Sequence, residues 1–319
     1  LGWFIGFGIA AVVLMLFTLS KLRSSYVQKL SPTITADNFI AGLAIGGGVS
    51  IVSTLVLTFL SLAFFGTVIK FTGAKIDPTV AEVAGIDQSQ FAVANTPWTG
   101  RIAAQGARQA ARNPRSRIVL VVGIILLAIG AGYAFTALEL GFAGDFAAMS
   151  AGVALPEELT KAAAGLAILY LLFQTKDMSP TQFRRSVLAA FGIAGLGFGA
   201  AEALKYFGAY ATQDAGVFIY AVRAVWCVTL HGSWTLIVGA ILCSSLPQDP
   251  QELEKKGTDV FYAVLLACIP MLLAHGLYNA CCEHAGILLW IVGGLSMFAA
   301  DCTIEACCDD TEAPQEAAS

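Results

Sequence analysis

The sequence predicts an all-α protein, a polytopic bundle of about eight transmembrane helices. Three observations carry this. Of 319 residues, 57% are hydrophobic and only 13% are charged, about half the charge of a soluble domain. Mean hydropathy is +0.74. The apolar residues fall in runs close to the roughly 20 that a helix needs to cross a bilayer. The polar/apolar alternation in segments of about ten residues that marks a membrane β-barrel is missing.

The spans follow in order at about 1–20, 39–66, 118–139, 154–174, 187–208, 217–245, 259–282 and 286–304. Between the second and third lies the longest polar stretch, 69–117. Its latter part, GRIAAQGARQAARNPRSR, carries Arg101, Arg108, Arg112, Arg115 and Arg117, and is expected to lie on the membrane surface as a basic amphipathic helix. This divides the chain into 1–117, two helices and a basic loop; 118–305, a membrane core; and 306–319, an acidic tail expected to be disordered. The net charge of −4 gives no reason to expect a nucleic-acid partner. All eight cysteines fall between Cys227 and Cys308, none in a CxxC pair, and read as small packing residues.

Lys and Arg set the expected orientation. The 69–117 loop is strongly basic, and 175–186 carries Lys176, Arg184 and Arg185, so both are placed in the cytoplasm with the mixed-charge connection 246–258. The opposite connections, 140–153 and 209–216, hold Asp145 and Asp214 and no basic residue. Lys21, Arg23 and Lys29 run against this pattern for the first two spans.

Ionisable side chains within spans are costly and mark function. Here they concentrate in four consecutive helices. The fourth span has Glu157, Glu158 and Lys161; the fifth has Glu202 and Lys205; the sixth has Arg223 and His231; the seventh has His275 and Asn279. The charge-based orientation puts Glu157 and Glu158 at the outer end of their span. Glu202 and His275 come about 9–10 Å below theirs at 1.5 Å per residue, with His231 deeper. All can face one cavity open to the non-cytoplasmic side. His275 and Asn279 share a helix face at i and i+4, as do Glu157 and Lys161; Glu158 and Lys161 are i and i+3. Each also has an ordinary reading. Pro156 followed by two acids is a normal helix start, and single histidines serve as interhelical hydrogen-bond partners. The case for a site rests on four helices presenting such groups at compatible depth.

These motifs resemble those of the PrsW family of intramembrane proteases, within the wider CAAX-protease superfamily. EELTK supplies Glu157, Glu158 and Lys161; FGAAE supplies Phe198 and Glu202; HGSWTLIVGA supplies His231; HGLYN supplies His275 and Asn279. The resemblance spans about 118–300. It implies an intramembrane endopeptidase of glutamic type, without a cofactor, acting on a single-pass membrane protein near the non-cytoplasmic face of the plasma membrane. Glu157 and Glu202 would position and activate water, one carboxyl ionised and one protonated. His275 and Asn279 would donate to the oxyanion, and His231 would orient water or substrate. Glu158 with Lys161 would be a structural ion pair, although the sequence leaves Glu157 and Glu158 interchangeable. The same donor types suit zinc, so a metal-dependent version would use Glu157, Glu202, His231 and His275. HExxH and GxSG signatures are missing, and GFAGDF has Phe142 where a GxGD motif needs glycine. Two other classes remain: a non-catalytic scaffold of the same fold, and a transporter with a proton relay, although no internal repeat is evident.

Overall fold

The computed structural model describes residues 2–32, 34–72, 74–87, 114–173, 175, 177–211 and 222–308. These residues build helices whose starts are written in the sequence. Pro78, Pro114, Pro180 and Pro250 each occupy the first position of a helix, where a missing N–H is no loss. Asp77 caps its helix by accepting from the Thr79 N–H at 2.8 Å. Ser179 and Gln182 bond reciprocally, at 2.9 and 3.3 Å, as in a capping box.

In order, the helices are α1 (Gly2–Leu22), α2 (Ala36–Ala44), α3 (Ser50–Thr72), α4 (Pro78–Val83), α5 (Pro114–Phe135), α6 (Gly141–Met149), α7 (Leu155–Leu172), α8 (Pro180–Ala211), α9 (Val228–Leu242), α10 (Pro250–His284) and α11 (Gly286–Cys308). Single π turns follow α1 and α2 and precede α7 and α9, at Arg23–Val27, Ile45–Val49, Ser150–Ala154 and Arg223–Cys227. Such turns recur at functional sites.

The all-α membrane bundle is as the sequence predicts, but the count of spans is corrected. Among the described residues, six helices are long and apolar enough to cross a membrane. The fourth expected span is not one of them. Its helix, α7, is 18 residues long and contains Glu157, Glu158 and Lys161, and only Ala163 and Leu171 along it are exposed. It is therefore an internal helix shielded by its neighbours rather than a lipid-facing span. The first expected span forms α1, but the side chains of its first half lie outside the described residues. So do the basic stretch up to Asn113, the connection at 212–221 and the acidic tail from Asp309.

The chain forms two compact units. The first contains Leu1–Val52, Glu158–Met271 and Trp290–Ser319; the second contains Ser53–Glu157 and Leu272–Leu289. In the first, α8 is the central element, buried without a break over 186–200. Glycine makes this possible. A Cβ on Gly195 would meet the His231 carbonyl of α9, and one on Gly199 would lie 2.8 Å from the Val228 Cα. On another face, Gly197 lies against Leu43 and Gly47. Small residues let the helix backbones come into contact, which drives packing where lipid offers no hydrophobic contrast. In the second unit, Phe65, Val80, Ala81, Ala84, Ile86 and Ala134 form a separate apolar cluster. The π turn before α7 packs on α5 through facing glycines, Gly132 and Gly152.

Candidate active site

In the first unit, Lys161 is fully buried, one turn along α7 from Glu158. Its Nζ donates to Glu158 Oε1 at 2.6 Å, as the i, i+3 spacing allows. The same Nζ lies 3.0 Å from His231 Nδ1. An ammonium can only donate, so Nδ1 accepts and the ring proton sits on Nε2. Nε2 then donates to Glu202 Oε2 at 2.9 Å. A carboxylate, an ammonium, an imidazole and a second carboxylate thus form one chain across α7, α9 and α8.

Aromatic rings wall this chain. Phe198, one turn before Glu202, meets the His231 ring at 5.1 Å, edge to face, and Lys161 Nζ lies 4.9 Å from its centroid. Trp234 stands perpendicular to His231 at 5.6 Å and 5.8 Å from Lys161 Nζ. These faces favour the cation where water does not reach it. Backbone bonds hold the frame: Thr235 Oγ1 donates to the His231 carbonyl at 2.8 Å, and Ser50 Oγ to the Thr160 carbonyl at 3.2 Å. Lys205, in contrast, is exposed beside Tyr206.

In the second unit, the stretch from α6 to the start of α7 and the last turns of α10 meet in reverse order. Asp145 Oδ2 lies 2.6 Å from His284 Nε2. Ser150 packs directly on Gly276. Glu157 Oε2 lies 3.8 Å from His275 Nε2, both side chains buried. That gap is too long for a direct hydrogen bond and suits one small group between the two. Asn279 follows one turn after His275 and is half-buried.

Carboxylate and imidazole are ligand types for catalytic zinc, whose bonds of about 2.0–2.1 Å place two tetrahedral ligands about 3.3 Å apart. Glu157 and His275 fit that demand in chemistry and separation. His231 fits less well, because both of its nitrogens are engaged. Metal-bound histidines use the second nitrogen to donate to a carboxylate or carbonyl, and here Nδ1 faces an ammonium.

Two contacts lay beyond the sequence reading. Trp234 lies three residues after His231, and that i, i+3 spacing is the signal in HGSWTLIVGA for its contact with the ring. Asp145 and His284 are 139 residues apart, with no local pattern to join them.

Comparison with curated proteins and with solved structures finds no match. A comparison with protein families does: residues 99–300 match the description "PrsW family intramembrane metalloprotease". That segment contains every buried acid, lysine and histidine just described and covers well over half of the chain. It is an integral membrane protein, and it belongs to the PrsW family of intramembrane metalloproteases.

Proposed function

We propose that the protein is an endopeptidase that hydrolyses another membrane protein, single-pass and cut near the non-cytoplasmic face of the plasma membrane, with water activated by a buried carboxylate. The observation that carries this reading is the chain Glu158–Lys161–His231–Glu202, held by bonds of 2.6, 3.0 and 2.9 Å. Burying this many ionisable groups is expensive even when they are paired, and such groups within a membrane protein mark function.

The two consecutive glutamates take different parts. Glu158 is committed to Lys161, so Glu157 is the base. With His275 at 3.8 Å, its carboxylate can hold a water and remove a proton as the water attacks the scissile carbonyl. Glu202 is the second carboxyl, kept in place by His231. His275 and Asn279 supply donors for the oxyanion. Glu157 and Glu158 are neighbours in the chain, so the buried relay anchors the helix turn that presents the base.

A metal-dependent second reading is favoured by the family's description and by the Glu157–His275 pair. Its ligands would be drawn from Glu157, Glu202, His231 and His275, and a zinc ion there would supply a Lewis acid and a water acidic enough to ionise near neutral pH.

The test is cleavage of a library of tagged single-pass membrane proteins by purified protein in bilayer discs, with and without chelator. Glu157→Gln and Glu202→Gln are each expected to lower turnover by about 10²–10⁴-fold while the protein remains folded. Activity that survives chelation fits the metal-free reading. Activity lost to chelator and restored by zinc selects the second. Full activity in both variants would refute both readings.

A further inference from the structure

The Asp145–His284 pair belongs to neither reading of the catalytic centre. Asp145 is buried on α6, with its carboxylate directed at His284, the last residue of α10. Glu283 is the preceding residue and is exposed. One ligand atom from each of Asp145, Glu283 and His284 lies within 4.8 Å of the other two. We propose that these three side chains form a second metal site, taking a divalent ion of the zinc type where α6 meets the end of α10.

Two features support a cation here rather than a simple structural bridge. The donors are two carboxylates and an imidazole, a set that gives three protein ligands and leaves a fourth position for water. One ligand is already placed: Asp145 is 6% exposed, and its carboxylate is held towards the site by His284 at 2.6 Å. The Phe142 ring meets His284 edge-on at 6.0 Å and limits its rotation. To share one ion, the Asp145 and His284 atoms must part from 2.6 Å to about 3.3 Å, within reach of small side-chain rotations. Glu283 closes from the exposed side.

Asp145, Ser150 and Glu157 face His284, Gly276 and His275 in turn. An ion on the outer pair would fix how the end of α10 lies along this stretch, and so the spacing of Glu157 and His275.

The experiment uses the full chain in detergent, stripped with chelator and titrated with cobalt(II), with visible absorption and elemental analysis as readouts and no substrate present. Wild type, Glu283→Gln, His284→Gln and Glu157→Gln are compared. Binding of one equivalent that is lost in His284→Gln, weakened about tenfold in Glu283→Gln and retained in Glu157→Gln is the expected result. Because Glu283 is exposed, its replacement cannot be blamed on misfolding. Equal stoichiometry and affinity in wild type, Glu283→Gln and His284→Gln would overturn the proposal. So would binding lost only in Glu157→Gln, which would assign the ion to the catalytic pair. The outcome is independent of whether the protein cleaves its substrate by the route proposed above.

Discussion

Lys161 is the residue on which the first unit's polar chain turns. It is fully buried, with a carboxylate at 2.6 Å and an imidazole at 3.0 Å. Removing one partner of a buried ion pair leaves an uncompensated charge, which is worse than removing both. Lys161→Met is therefore expected to lower stability by about 3–5 kcal/mol, read by denaturant unfolding in mixed micelles. Adding Glu158→Gln is expected to recover a large part of that loss, although activity stays low. A double variant no more stable than the single one would mean that the pair contributes through packing rather than charge. The Glu158–Lys161 contact was legible in EELTK, because i, i+3 neighbours on a helix meet whatever surrounds them. The link from Lys161 to His231 was not. The two are 70 residues apart, and periodicity says nothing about which turn of one helix faces which turn of another.

At the scale of elements, α8 decides where that link forms. Its glycines let α9 come close enough for His231 to reach both Glu202 and Lys161. Gly195→Ala would force a methyl into the His231 carbonyl, and such overpacking costs about 1–3 kcal/mol. Since the backbone displaced is that of His231 itself, turnover is expected to fall along with stability. Gly257 on α10 is the control, exposed with nothing within 4 Å of an added Cβ. Gly257→Ala is expected to stabilise by about 0.5–1 kcal/mol and to leave turnover unchanged. If both substitutions behave alike, the close approach of α8 and α9 is not what sets the site. Hydropathy located both helices but could not reveal their contact, since glycine in an apolar run reads the same on either face. Composition misled at α7 for a related reason: its apolar residues face protein instead of lipid, and so leave room for charge.

At the scale of the whole molecule, the charge-based orientation can be compared with contacts made within the first unit. Arg185, near the start of α8, donates to the carbonyls of Cys307 and Cys308 at the end of α11, both at 3.0 Å. Tyr170 and Thr175 donate to the carbonyls of Pro247 and Gln248, at 2.8 and 2.7 Å. Two of the connections that the lysines and arginines assign to the cytoplasm, 175–186 and 246–258, are thus tied to neighbouring elements within that unit. From there α10 runs for 35 residues, about 50 Å at 1.5 Å per residue, more than a hydrocarbon core of about 30 Å. That length is enough to cross, and the charge-based orientation puts its two ends on opposite sides. Lys256 near its start and Cys282 near its end are both exposed, and they report on this directly. Two single-cysteine proteins are needed, one carrying Lys256→Cys and one retaining Cys282, with the remaining cysteines replaced by alanine. In intact cells, an impermeant thiol reagent is expected to label Cys282 at once and the position-256 variant only after permeabilisation. The reverse pattern would turn the protein over and move the proposed cleavage to the cytoplasmic face, leaving the buried relay as it is. Labelling of both from outside would mean that α10 does not cross. The depth assigned to His275, seven residues before Cys282, would then lose its basis.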